Sequence, residues 1–135
     1  MDLTRAMAIA GSGMRAQTER LTVIAQNLAN QATTGSTPGA DPYQRKTITF
    51  QDVLDPTSGA ELVEAGPIGQ DQSPFPLRYD PANPAANAAG YVKEPNVNTF
   101  IEMMDMRDAE NTYSANLQVL AVSRSMLARV IGMLQ

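Results

Sequence analysis

All nine prolines of this chain lie between Pro38 and Pro95, and all eight methionines lie outside that interval. A proline ring removes a backbone donor and collides with the preceding helical turn, so long helices are confined to the two ends. The chain therefore divides into 1-31, an N-terminal helix; 32-97, a β-rich and extended middle arm; and 98-135, a C-terminal helix. Charge follows the same division. The middle holds eight acidic residues against Arg45, Lys46, Arg78 and Lys93, while the flanking segments are nearly neutral. The ends are apolar and the middle is solvated.

In the first segment Leu3, Met7, Ala10, Met14, Gln17, Leu21, Ile24 and Leu28 follow one another at steps of four and three, a heptad seam. Ile9, Ala16 and Val23 form a second line beside it. Gly11 and Gly13 interrupt the pattern, each costing up to about 1 kcal/mol against alanine in a helix, and imply a kink, a break or the close approach of another backbone. In the last segment the seam reads Met103, Met106, Glu110, Tyr113, Leu117, Leu120, Arg124, Leu127, Ile131 and Leu134, with Val119, Val122, Met126, Val130 and Met133 alongside. Asn98 or Thr99 can cap this helix, and Thr99 with Glu102 fits a capping box. Two helices facing only each other would cover one line apiece and leave the second lines in water, so lateral packing against other subunits is expected.

The fold class that follows is mainly α. Long N- and C-terminal helices pair as an antiparallel coiled coil, with a small β-rich, irregular insertion between them. Within the insertion, YQRKTITF alternates as a strand does, and ELVEA can return against it with Gly59 near the turn. PFPLRYDPANPAANAAG has too many turn-formers for a continuous sheet.

Candidate chemistry is sparse. A chain with no Cys and no His lacks thiol nucleophiles, thiolate metal sites and the commonest acid/base residue. The net charge of −4 argues against nucleic acid as a partner. GSGMRA matches G-x-G-x-x-A in letters, but it lies within a helical pattern and no βαβ unit follows, so no cofactor is expected. Glu61/Glu64 and Asp105/Asp108 read as solvated carboxylates rather than an acid and base pair. Asp55-x-Thr57-x-Gly59 is a poor calcium loop, and no metal site is expected. Arg45-Lys46 reads as the solvated face of a strand, and Phe100, Tyr91 and Tyr113 as packing residues. No segment reaches the roughly 18 consecutive apolar residues of a membrane span, and the N-terminus lacks the uninterrupted apolar region of a cleaved signal.

Four stretches, AGSGMRAQTERLTVIAQNLANQATTG, PYQRKTITF, GYVKEPNVN and EMMDMRDAENTYSANLQVLAVSRSMLARVIGMLQ, resemble in this order the flagellar basal-body rod proteins. Asn27, Ala29 and Asn30 match the N-x-A-N box shared by rod and hook proteins, followed by Gly35. Gly90, Tyr91, Pro95, Asn96 and Asn98 match a stretch more particular to the proximal-rod branch, and Tyr113, Asn116 and Leu117 match the Y-x-A-N-L box. The resemblance implies a structural subunit of the proximal rod, part of the shaft that transmits torque from motor to hook and filament, with no catalytic residue and no cofactor. Its implied partners are copies of itself, other rod proteins, the adaptor between MS ring and export gate at the rod base, the distal rod and the flagellar type III export apparatus. Its implied place is the periplasmic rod of the basal body, reached without a cleaved signal peptide. Two other readings are separable from it: another axial rod or hook subunit, and more remotely a peptidoglycan-cleaving enzyme. The assembly seam expected is Leu21, Ile24, Leu28, Met106, Tyr113, Leu117, Leu120, Leu127, Ile131 and Leu134, with the amides of Gln26, Asn27 and Asn30 as candidate hydrogen bonds between subunits.

Overall fold

A computed structural model describes residues 3–133 of the chain. Helix α1, Leu3–Ala29, and helix α2, Thr99–Gly132, are continuous, and the segment between them contains turns and six short strands. The proline boundary accounts for this partition, since neither helix contains one. Helix α1 runs unbroken through Gly11 and Gly13.

The helix ends are closed by side-chain amides. Past the end of α1, Asn30 Nδ2 donates to the Gln26 carbonyl at 2.9 Å, and its Oδ1 accepts from the Thr33 hydroxyl at 3.1 Å. The same Gln26 carbonyl accepts the Asn30 N–H at 3.1 Å, so both donors of Asn30 close the last turn. At the start of α2, Asn98 Oδ1 accepts from the N–H of Phe100 at 3.0 Å and of Ile101 at 3.3 Å, so Asn98 is the N-cap. The Thr99–Glu102 capping box does not form. With Asn98 as the cap, Thr99 is already inside the helix, its hydroxyl meets the Gln31 side chain, and the Glu102 carboxylate turns inward.

The strands make three separate two-stranded antiparallel sheets. Strand β2, Phe50–Leu54, pairs with β3, Glu61–Ala65, from Phe50 opposite Ala65 to Leu54 opposite Glu61; ELVEA is the returning strand the sequence predicts, but its partner begins only at the last residue of YQRKTITF. Strand β1, Lys46–Thr47, pairs with β4, Gly69–Gln70, and β5, Leu77–Tyr79, with β6, Tyr91–Lys93. YQRKTITF is therefore two strands with a break at Ile48 and Thr49. The reason lies in the backbone ahead of the break: the Arg45 N–H donates to Asn96 Oδ1, and the Lys46 N–H and carbonyl are both held by Asn27. The turn-rich stretch before β6 folds around two asparagines. Asn83 Oδ1 accepts from the Ala85 N–H at 2.9 Å, and Asn87 Oδ1 from the N–H groups of Ala89 and Tyr91 at 3.0 Å. Those bonds let β5 return to β6 across the prolines.

The chain forms two compact units, each drawing on all three segments of the sequence. One contains α1 up to Leu21, the β2–β3 hairpin and α2 from Met106. Its buried residues are small: Ala10, Ser12, Ala16, Ala60, Ala109 and Ser123. Small residues allow close approach. A Cβ on Gly13 would stand 2.8 Å from Asn116 Nδ2, so the amide of α2 rests on the bare Cα of α1. Arg20 and Asp108 join the same two helices by an ion pair at 3.0 Å. The hairpin is attached to α1 through Ser12, whose Oγ accepts the Val63 N–H at 3.2 Å, and through Arg5, whose Nε donates to the Ser58 carbonyl at 2.6 Å.

The other unit contains the end of α1 from Thr22, strands β1, β4, β5 and β6, and the start of α2 as far as Asp105. Val23, Ile24, Ala85 and Val92 are buried in it, together with Asn27 and Glu102. Each fully buried valine or isoleucine side chain contributes roughly 1.5–3 kcal/mol from removal of apolar surface. In both units the two long helices pack against each other.

Candidate functional site

Two features distinguish this molecule from an ordinary helical pair. The first is a buried polar clamp in the unit that holds the helix ends. Asn27 is 1 % exposed and Glu102 is 0 % exposed. Asn27 Nδ2 donates to the Lys46 carbonyl at 2.9 Å and to Glu102 Oε2 at 3.2 Å, while its Oδ1 accepts from the Lys46 N–H and the Tyr43 hydroxyl, each at 2.9 Å. The other oxygen of Glu102 accepts from Arg45 Nε at 2.5 Å. Arg45 also stands 3.6 Å from Asp71 and 3.7 Å from Asp105. Four stretches of chain therefore converge: the end of α1, the Tyr43–Lys46 segment, Asp71 and the start of α2.

Electrostatics support that arrangement. Burial pulls the Arg45 guanidinium toward deprotonation, but the hydrogen bond and charge of Glu102, with Asp71 and Asp105 behind them, more than offset it and keep it charged. Burial, then the nearby Glu102 charge, pushes the Tyr43 phenol up from its ordinary value. Asn96 completes the brace. Its Oδ1 accepts from the Arg45 N–H at 2.8 Å, and its Nδ2 donates to the carbonyls of Asp71 at 3.0 Å and Ser73 at 3.2 Å.

The second feature is the outward face of α2. Its buried positions, Glu102, Ala109 and Ser123, and the half-buried Asn116, recur every seven residues and are small or polar. Large apolar side chains point to solvent instead: Leu117, Val119, Val122, Met126, Val130 and Ile131, each 45–52 % exposed. Ala115, Gln118, Val119, Val122 and Ser123 line a shallow, open depression of about 440 Å³ on this helix. A lone amphipathic helix would bury the large apolar residues and expose the small polar ones. Here the buried line is small or polar, Leu120 and Leu127 beside it are half-buried, and large apolar side chains on both sides of it stay exposed.

The residues singled out in the sequence fall into distinct places. Of the expected seam, Ile24 is buried, Leu21, Leu28, Met106, Leu120 and Leu127 are half-buried, and Tyr113, Leu117 and Ile131 are exposed; Leu134 lies outside the described residues. Gln26, Asn27 and Asn30 have in-chain partners: Gln26 Oε1 accepts from Lys46 Nζ at 3.0 Å, Asn27 is the hub of the clamp, and Asn30 closes α1. With its amide fully occupied and buried, Asn27 has nothing left to offer a neighbouring subunit. Ala29 is the exposed last residue of α1. Gly35 sits against Ala40, where a Cβ would come within 2.7 Å of the alanine methyl. Gly90 takes φ +83°, the left-handed region that favours glycine, and lies under the Tyr79 ring. Tyr91 meets that ring edge-on at 5.3 Å, Pro95 is buried, Asn96 braces Arg45 and Asn98 caps α2.

The part played by Arg45, Tyr43 and Glu102 was missed in the sequence. One signal was present. Glu102 has no basic residue three or four positions away on its own helix and lies between Ile101 and Met103, so its partner had to be remote. The other candidate carboxylates are less buried than Glu102. Asp105 and Asp108 face Arg45 and Arg20, and Glu61 and Glu64 are exposed on β3. Asp55 closes a turn: hydrogen bonds from the Ser58 hydroxyl and the Thr57 N–H hold its carboxyl below the usual range. Among the described residues no helix is long and apolar enough to cross a membrane.

Comparison with known proteins adds a lineage to this geometry. Residues 88–133 match the family described as flagellar basal body rod FlgEFG protein C-terminal. Over 133 residues the chain is 50 % identical to the flagellar basal-body rod protein FlgC of Agrobacterium fabrum, covering 98 % of this chain and 96 % of that one. It is 39 % identical over 132 residues to the FlgC of Salmonella typhimurium, covering 97 % of each chain. The FlgC of Borreliella burgdorferi is 37 % identical over 153 residues, covering 100 % of this chain and 99 % of that one.

Proposed function

The chain belongs to the FlgC family of flagellar basal-body rod proteins, and from that premise we infer how it works: as a structural subunit of the proximal rod that transmits torque by helix packing rather than by a chemical step. The observation that carries the mechanism is the set of large apolar side chains that α2 leaves exposed, Leu117, Val119, Val122, Met126, Val130 and Ile131, which suit burial by neighbouring helices. The two long helices form an antiparallel coiled coil, a reading supported by the order of their contacts. Gly13 meets Asn116 and Arg20 meets Asp108 in one unit, and Asn27 meets Glu102 in the other.

In this reading segments 1-31 and 98-135 supply the packing layer, and 32-97 forms the arm outside it. The half-buried and exposed seam residues Leu21, Leu28, Met106, Tyr113, Leu117, Leu120, Leu127 and Ile131 contribute to contacts between copies. Repetition of one head-to-tail contact that does not close into a ring generates a helical shaft. The subunit's other partners are the remaining rod proteins, the adaptor between MS ring and export gate, and the distal rod. It reaches the periplasm through the flagellar type III apparatus, without a cleaved signal.

Deleting the gene should remove the rod from purified basal bodies and abolish swimming, and restoring it should bring both back. Intact rods in the deletion strain would end this reading. One observation favours a sibling assignment: the C-terminal match carries the FlgEFG description. Labelled protein found beyond the proximal rod would favour that sibling.

A further inference from the structure

We propose that the outer edge of strand β2 receives the outer edge of strand β5 from a second copy of this chain, so that two two-stranded sheets join into one across a contact between subunits. The proposal rests on reading the chain as a subunit that assembles with its own copies, and it names the segments that meet.

Antiparallel pairing leaves every second residue of a strand with its N–H and carbonyl turned away from its partner. Around β2, the Gly66 N–H donates to the Thr49 carbonyl and the Asp55 N–H to the Ala60 carbonyl, so Phe50, Asp52 and Leu54 turn their backbone groups outward. Around β5, the Asp80 N–H donates to the Gly90 carbonyl and the Glu94 N–H to the Pro76 carbonyl, which turns Leu77 and Tyr79 outward in the same way. The far edges of both sheets are occupied: the Val63 N–H of β3 donates to Ser12 Oγ, and the N–H and carbonyl of Tyr91 in β6 are both held by Asn87. Among the described residues, none bonds the outward backbone groups of β2 or β5. Neither strand carries the proline or lysine that protects an exposed edge.

Side chains select the pairing. Strands β2 and β3 carry Asp52, Glu61 and Glu64 and no base, while β5 and β6 carry Arg78 and Lys93 and no acid. Two β2 edges would set like charges together, as would two β5 edges, whereas β2 with β5 joins opposite charges. Outward residues stand opposite one another in such a pair. Leu77 and Tyr79, 61 % and 65 % exposed, then share a face with Phe50 and Leu54, 40 % and 64 % exposed. A two-stranded sheet is marginal in water and gains from further strands with an apolar face. Because the two edges differ, each copy offers one and receives the other, and the contact propagates from copy to copy.

The chain has no cysteine, so introduced thiols report this contact directly. In the deletion strain, a chain with Asp52→Cys is expressed together with one carrying Leu77→Cys or one carrying Tyr79→Cys, and purified basal bodies are mildly oxidised. One of the two mixtures should give a disulfide-linked dimer of the chain that neither variant gives alone. Absence of that dimer from both mixtures, or linkage of Asp52→Cys to a different protein, overturns the proposal.

Proline tests the backbone separately. The Asp52 N–H faces outward, so Asp52→Pro should leave β2 paired with β3 and the purified chain melting within a few degrees of wild type, yet abolish swimming. Asp52→Ala keeps the N–H and should swim. Wild-type swimming by Asp52→Pro, or equal defects in the two variants, overturns the proposal. Failure of Asp52→Pro to fold does so too, since its N–H would then be bonded inside the chain. Rods persisting in the deletion strain would remove the functional reading, whereas rods absent there but restored by Asp52→Pro would remove this inference alone.

Discussion

Asn27 has two amide hydrogens and two acceptor positions, and all four are used inside the chain. Asn27→Asp keeps the shape but removes both donors and sets a second carboxylate beside Glu102. It should destabilise the protein by about 3 kcal/mol, the scale of a buried charge without a partner, as measured by urea unfolding. A loss under about 1 kcal/mol would show that the clamp is more open to water than its burial implies. The two α1 glycines make a contrasting pair. At Gly11 an added methyl would meet nothing within 4 Å, whereas Gly13 carries the Asn116 amide. Gly11→Ala should stabilise by about 0.5–1 kcal/mol through helix propensity. Gly13→Ala should gain measurably less, since Asn116 must shift to admit the methyl. Equal gains in thermal melts would mean that the close approach costs nothing. The sequence marked both glycines as weak points, yet only the structure separates them, because the residue that decides is about a hundred positions away in the chain.

Among the elements, α2 depends on the single cap Asn98. Asn98→Ala should cost about 1 kcal/mol, and Thr99→Ala only a few tenths, because Thr99 is not the cap. Comparable losses from the two variants in denaturant titrations would restore the capping box that the structure lacks. What was legible here follows from range. ELVEA could be read as a returning strand with Gly59 near the turn, though its partner starts where the alternating YQRKTITF ends, and the helices could be read because prolines are excluded from them. The β5–β6 pairing was hidden behind a turn-rich stretch held by backbone turns and by the Asn83 and Asn87 side chains. Periodicity likewise identified the apolar lines of α2, but a stripe does not name what covers it. Within the chain the heptad positions nearest α1 include Ala109, Asn116 and Ser123, residues too small or polar to stand out in a sequence.

For the whole molecule, pH and exposed area set opposite kinds of limit. Hydrogen bonds from the Ser73 N–H and hydroxyl hold the Asp71 carboxyl below its ordinary range, as those from Ser58 and Thr57 do for Asp55. Their stabilising effect is present above the unfolded carboxylate range, near about pH 4, and is lost as pH falls through the folded values. Tyr43 is raised, so its effect is present below about pH 10 and is lost as pH rises through the folded value. Melting temperature should therefore be flat between roughly pH 5 and 9 and fall on both sides, with a steady alkaline limb counting against the Tyr43 assignment. Area limits the isolated subunit more severely. Leu117, Val119, Val122, Met126, Val130 and Ile131 of α2 are each 45–52 % exposed, apolar surface that a lone subunit leaves in water. A helix that buries small residues and exposes large ones gains little from staying docked on its own. Circular dichroism of the dilute subunit should therefore show less helix than α1 and α2 together contain, with the signal rising on assembly. Full helicity at concentrations too low for association would show that the in-chain contacts suffice, and that neighbours add torque-bearing contacts to helices already formed.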